Sequence, residues 1–122
     1  MPVSVLVVDD SAMARKMLIR ALPPDWDIAI TQAANGNQAL AQYRQGGVDV
    51  MFLDLTMPEM DGYQVLETLR REDLNCLVIV VSADIQEAAQ ERVRAMGACA
   101  FLKKPVEAER IKTVLKEYGL LV

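Results

Sequence analysis

Val48-Asp49-Val50-Met51-Phe52-Leu53-Asp54-Leu55-Thr56-Met57-Pro58-Glu59-Met60-Asp61-Gly62 is the stretch on which the fold turns. Val48 to Leu53 is a short apolar run, broken only by Asp49, and reads as a strand. A run apolar at consecutive positions suits a strand covered on both faces, as in a parallel sheet. It ends on an acid, Asp54. After the turn at Asp61-Gly62 the period changes: Val65, Leu66 and Leu69 share one face of a helix running from about Gly62 to Arg71.

The same alternation extends in both directions. Toward the N-terminus, Val3 to Val8 reads as a buried strand, and Ser11 caps a helix reaching about Leu22 before Pro23-Pro24. Asp27 to Ala33 is a weaker strand with alternating Ile28 and Ile30, and Asn35 caps a helix to about Gln45, stopped by Gly46-Gly47. Toward the C-terminus, a strand from Cys76 to Val81 precedes a helix from Asp84 to Met96 with Gly97 as its stop. A strand from Ala98 to Leu102 precedes a last helix from about Glu107 to Tyr118, carrying Ile111, Val114, Leu115 and Tyr118 on one face. Five strand–helix units in strict alternation imply a doubly wound α/β sandwich with right-handed crossovers. The chain's 122 residues suit one domain, 1–122, without linker, repeat or low-complexity tract. The last helix ends close to the final residue, so no further domain is expected after it in this chain; a domain cut from a longer protein would read the same way.

Composition excludes several function classes. The formal net charge of −4 disfavours general attraction to nucleic acid or anionic lipid. No histidine is present, which removes His as ligand, base or nucleophile and with it the Ser-His and Cys-His nucleophilic pairs. No apolar run is long enough to cross a bilayer, and Val3 to Val8 runs straight into Asp9-Asp10 without a secretion pattern, so a cytoplasmic location is expected. Cys76 and Cys99 have no metal-ligand spacing. They are expected as small buried hydrophobes near two strand starts, reduced in that compartment.

Function in an open α/β sheet sits beyond the carboxyl ends of its strands. Asp9 and Asp10 end the first strand, Asp54 the third and Ser82 the fourth, and Lys103-Lys104 closely follow the fifth. Taken singly, each is an ordinary cap, turn former or solvated lysine. Taken together, three carboxylates in one pocket repel, and a divalent cation relieves that repulsion. Mg²⁺ fits best, because the ligands are hard oxygens and no imidazole or clustered thiolate competes. A lysine and a hydroxyl beside them would complete a phosphate site.

Val7-Val8-Asp9-Asp10-Ser11, Asp54-Leu55-Thr56-Met57-Pro58-Glu59-Met60-Asp61-Gly62, Ser82-Ala83 and Lys104-Pro105, in that order, closely resemble the receiver domains of bacterial response regulators, the single-domain chemotaxis type being nearest in size. The resemblance spans essentially the whole chain and implies a flavodoxin-like sheet of order 2-1-3-4-5, which alternation alone does not determine. It implies Asp54 as phosphoacceptor, Asp10 as a direct Mg²⁺ ligand, Asp9 acting partly through water, and the backbone carbonyl of Thr56 as a further ligand. It also implies Ser82 as the hydroxyl that follows the phosphoryl group, Lys104 as its charge partner, and a cis Lys104-Pro105 bond. Lys103 is expected to point elsewhere by strand alternation. Phe101 falls on the switch-aromatic position; a plain core or edge aromatic fits it equally. Thr56 and Asp84 flank the site and would tune the lifetime of the phosphoryl group.

The implied function is a phosphoacceptor switch, not a classical enzyme. Its donor would be a histidine kinase or phosphotransfer protein, and its output a changed helix 4–strand 5–helix 5 surface that regulates a protein partner. The chain would be a monomer or a weak, phosphorylation-linked dimer. Three other readings compete. A phosphatase of the haloacid dehalogenase type also uses an aspartate nucleophile but wants a second Asp two residues on, where Thr56 stands, and usually a cap domain. A docking module with a vestigial site would not need all five site residues. Flavin binding wants aromatic walls, and Trp26 stands nearly alone.

Overall fold

The computed structural model describes residues 2–83 and 86–121. Its elements run β1 (Val3–Val8), α1 (Ala12–Ala21), β2 (Ile28–Ala33), α2 (Gly36–Arg44), β3 (Val50–Asp54), α3 (Gly62–Arg71), β4 (Leu77–Ser82), α4 (Glu87–Ala95), β5 (Ala100–Lys103) and α5 (Ala108–Glu117). The five strands form one sheet of order β2-β1-β3-β4-β5, and every neighbouring pair is parallel. This is the flavodoxin-like arrangement that the receiver resemblance implied.

Strand alternation divides the apolar residues between two cores. Leu6, Val8, Met51, Leu53, Val78 and Val80 pack with Leu40 of α2, Leu66 and Leu69 of α3 and Val93 of α4. Val5, Val7, Phe52, Ile79, Val81 and Leu102 face the other way, onto Leu18 of α1 and Ile111 and Leu115 of α5. The central strands are therefore apolar at successive positions, whereas the edge strand β2 is largely exposed, with Ile30 facing solvent. That is why its signal in the sequence is the weakest of the five.

Several boundaries differ from the sequence expectation. The fifth strand begins at Ala100 and not at Ala98. Gly97 takes a positive φ of 108°, its N–H donates to the Arg94 carbonyl, and the Ala98 N–H reaches back to Val93. Ala98 thus belongs to the left-handed stop of α4. The expected start of that helix at Asp84 lies outside the described residues; the first helical residue is Glu87, with Gln86 at its N-cap. Ser82 is the last residue of β4, and the N-cap of α4 is Gln86. Cys76 and Cys99 are free thiols, both half-buried. Trp26 is buried after α1, packed with the core of α1 and α5.

Candidate functional site

Parallel register brings the acids together. Val8 pairs with Leu53 across β1 and β3, so the following residues, Asp9 and Asp54, emerge side by side at the carboxyl edge of the sheet. Each of Asp9, Asp10 and Asp54 offers a carboxylate oxygen, and these oxygens lie within 4.8 Å of one another. Asp9 and Asp54 are 6% and 4% exposed, respectively, while Asp10 faces solvent. Two buried carboxylates and one open one form a pocket that a cation can enter from outside.

Lys104 reaches this pocket from the far side of the sheet. Its backbone N–H donates to the Ser82 carbonyl, the following bond to Pro105 is cis, and the ammonium then lies over the acids. Nζ donates to Asp9 Oδ2 at 2.8 Å and to Asp54 Oδ1 at 3.2 Å. Lys103 is exposed in β5, opposite Ser82. Of the doubled lysine, the second is therefore the one in the site. Three carboxylates against one ammonium leave two formal negative charges over, which a hard divalent cation would balance. The donors that meet here are carboxylate oxygens, so the residues present fit Mg²⁺.

The electrostatics follow from this packing. Burial pushes the Asp54 carboxyl above the usual aspartate range, and the charge of Asp9 pushes it the same way. The Lys104 ammonium and a hydrogen bond from the Thr56 backbone oppose the shift without cancelling it. Burial by itself would lower the Lys104 ammonium, but its bond to Asp9 and the charges of both acids outweigh this and hold it above the usual lysine value.

Two recesses open at this end of the sheet. Ser82, buried at the end of β4, lines one of about 260 Å³ with Leu55, Thr56, Met57, Asp61 and Tyr63. Lys104 lines the other, of about 430 Å³, with Asp9, Ala14, Met17, Val81 and Val106. Thr56 is exposed on the loop after β3, and Phe101 is half-buried in β5, level with Val80. Asp84 lies outside the described residues.

Three features of the site escaped the sequence reading. Gly62 opens α3 directly against the end of β3. Its N–H donates to the Leu55 carbonyl at 3.0 Å, and a Cβ there would fall 2.5 Å from the Asp54 carbonyl oxygen and 2.7 Å from Leu55 Cα. Only glycine allows that approach. Asp61 and Gln64 form a reciprocal capping box, whose D-x-x-Q spacing was a usable signal. Arg15 donates to the Asp9 carbonyl at 2.6 Å, and nothing in its spacing marks that contact.

Comparison with known proteins agrees with this geometry. The family model described as the response regulator receiver domain matches residues 5–116. The chain belongs to the receiver domain family. This receiver is 34% identical over 107 residues to the chemotaxis protein CheY of Bacillus subtilis strain 168, an alignment covering 88% of this chain and 89% of that protein. It is 37% identical over 123 residues to the protein-glutamate methylesterase/protein-glutamine glutaminase of Halalkalibacterium halodurans. There the receiver covers 94% of itself but 35% of the relative. Among solved structures, it superposes with a TM-score of 0.88 on a chain of the CheX–CheY–BeF3–Mg²⁺ complex from Borrelia burgdorferi, at 31% identity and with 97% and 90% of the two chains covered. Among its described residues, no helix is long and apolar enough to cross a membrane.

Proposed function

We propose that this receiver is a phosphoacceptor switch of two-component signalling, a single domain over 1–122 that acts in the cytoplasm. A histidine kinase or phosphotransfer protein supplies the phosphoryl group, and Asp54 accepts it. The observation that carries this reading is the ion pair of Lys104 with Asp54 Oδ1 inside a trio of carboxylates, at the edge of the sheet where four strands end. The Borrelia relative's structure holds BeF3 and Mg²⁺, which supports a phosphoryl-type ligand and a divalent ion for this chain too.

Asp10 would hold Mg²⁺ directly, Asp54 and the Thr56 carbonyl would add further oxygens, and Asp9 would act partly through water. When bound, the ion supplies positive charge for the oxygens of the phosphoryl group. The chain's own residues then act by position and charge. An Asp54 carboxylate oxygen attacks phosphorus as the phosphorus–nitrogen bond of a phosphohistidine breaks and its electron pair stays on nitrogen; with the other ring nitrogen already protonated, a neutral imidazole remains on the donor and an acyl phosphate on Asp54. Lys104, bonded to Asp54 in the resting protein, would exchange that bond for one to the phosphoryl oxygens. Ser82 donates its hydroxyl to the phosphoryl group, and Phe101 follows into the space it leaves. The α4–β5–α5 surface thereby favours a protein target. Water attacking phosphorus later breaks the aspartyl oxygen–phosphorus bond, releasing inorganic phosphate and restoring the carboxylate; Thr56 on the loop after β3 would tune that step, and Asp84, expected from the sequence to share the role, lies outside the described residues. The chain would be monomeric or a weak, phosphorylation-linked dimer, with no direct nucleic-acid or membrane contact.

The test is fluorine NMR of the protein with beryllofluoride. A bound BeF3 resonance that requires Mg²⁺ and vanishes in Asp54→Asn is the expected result. A folded wild-type protein that gives no such resonance with Mg²⁺ in excess would leave a constitutive docking module as the better account.

A further inference from the structure

Arg15 sits one turn into α1, half-buried, with its guanidinium laid across the carboxyl edge of two strands. Nη1 donates to the Asp9 backbone carbonyl at 2.6 Å. Nε donates to the Gln32 side-chain oxygen on β2 at 2.9 Å. The fork is therefore held at two points, and the charge-assisted bond to Asp9 is short. Asp9 itself is anchored on either side of that carbonyl's peptide, because its N–H, in the preceding peptide, donates to the Ala33 carbonyl at 3.1 Å and its carboxylate accepts from the Ser11 N–H at 2.9 Å.

The carbonyl that Arg15 grips belongs to the peptide joining Asp9 to Asp10. Turning that peptide about its ends would swing the Asp10 backbone and carry its carboxylate out of the trio. Asp10 needs such outside support. It is exposed, whereas Asp9 and Asp54 are buried and tied to Lys104. We infer that Arg15 is a positioning residue for the metal pocket: it holds the Asp9–Asp10 peptide so that the Asp10 carboxylate stays aimed at the cation, and Gln32 holds Arg15. The inference rests on the reading of Asp9, Asp10 and Asp54 as a Mg²⁺ site.

Charge and position act in opposite directions here, and that makes the idea testable. Arg15 is a cation beside a cation site. If charge were its whole effect, removing it would tighten Mg²⁺ binding. If it positions Asp10, removing it weakens binding, on the order of 10-fold for the loss of a group that orients a metal ligand. Mg²⁺ affinity is measured by calorimetry at fixed ionic strength on wild type, Arg15→Gln, Arg15→Lys and Gln32→Ala, with circular dichroism melts for each. The expected order is wild type tightest, Gln32→Ala and Arg15→Lys weaker, and Arg15→Gln weakest. Arg15→Lys and Gln32→Ala keep the net charge, so their weakening reports position even where Arg15→Gln fails to fold. Wild-type affinity in both of those, or tighter binding in Arg15→Gln, overturns the assignment. A folded wild type that binds no Mg²⁺ overturns the metal site itself, a different failure that the same titration distinguishes.

Discussion

Asp54 carries its negative charge at a cost, since burial and Asp9 both raise its carboxyl above the ordinary aspartate value. A raised carboxyl in the folded state contributes stability below the unfolded-state value and loses it as pH rises through the folded one. At neutral pH the buried charge therefore opposes folding. Asp54→Asn is expected to raise Tm in metal-free buffer by a few degrees, on the order of 1 kcal/mol. The gain should fade as pH falls below the ordinary aspartate range. Adding Mg²⁺ should stabilise wild type more than the variant, and thermal melts at several pH values with and without the ion check all three points. Lys104 gives the converse case. Lys104→Met leaves Asp9 and Asp54 buried without their cation, and a loss of about 1–3 kcal/mol is expected, partly recovered with Mg²⁺. Because its ammonium is raised above the usual lysine value, that contribution should hold across neutral pH and be lost only as pH climbs through the raised value. Cys76 lies outside this chemistry. Burial, then the neighbouring Cys99 and Asp49, push its thiol up to about 11. Alkylation of Cys76 at pH 8, followed by peptide mass, should run well below the rate of a free cysteine.

At the scale of elements, the junction of β3 and α3 sets the backbone at Asp54. The first residue of α3 touches the backbone of Asp54 and Leu55, so a side chain there displaces backbone and not a flexible tip. Gly62→Ala is expected to cost about 1–3 kcal/mol in a denaturant melt, the usual penalty for forcing atoms into packed space. It should also slow phosphorylation by acetyl phosphate, because the displaced backbone carries Asp54. Wild-type rates in a destabilised Gly62→Ala protein would separate the junction from the chemistry. The sequence announced this junction only in part. Asp61-Gly62 reads as a turn, and the capping partner Gln64 is visible by spacing, but the close approach comes from the tertiary path of β3. The late start of β5 has a similar origin: Ala98 is apolar enough for a strand, yet the glycine stop of α4 claims its N–H. Arg15 was hidden for the same kind of reason, since it acts on a backbone carbonyl that carries no residue identity.

For the whole molecule, strict strand–helix alternation made the α/β class legible, and continuous apolar runs at β1, β3 and β4 made the sheet parallel. Alternation says nothing of strand order; the motifs at Asp9, Asp10, Asp54, Ser82 and Lys104 supplied it through the family they resemble. The same residues made the site legible, because each lies at the carboxyl end of its strand, where a parallel sheet gathers them. The two-sided core ties the site to helices on both faces of the sheet. Asp54 follows Leu53 of the α2–α3–α4 core and sits in the strand of Phe52, which packs toward α1 and α5. A receiver of this length accounts for nearly all of one relative and about a third of another. The central claim is that Asp54 takes a phosphoryl group in a Mg²⁺-dependent reaction. It is tested most directly by prompt intact-mass measurement of the protein after acetyl phosphate treatment, with and without Mg²⁺, beside Asp54→Asn. The account predicts one added phosphoryl group in wild type with Mg²⁺, none without it and none in the variant; equal phosphorylation of Asp54→Asn, or none in folded wild type with Mg²⁺ and a beryllofluoride control also blank, would contradict it.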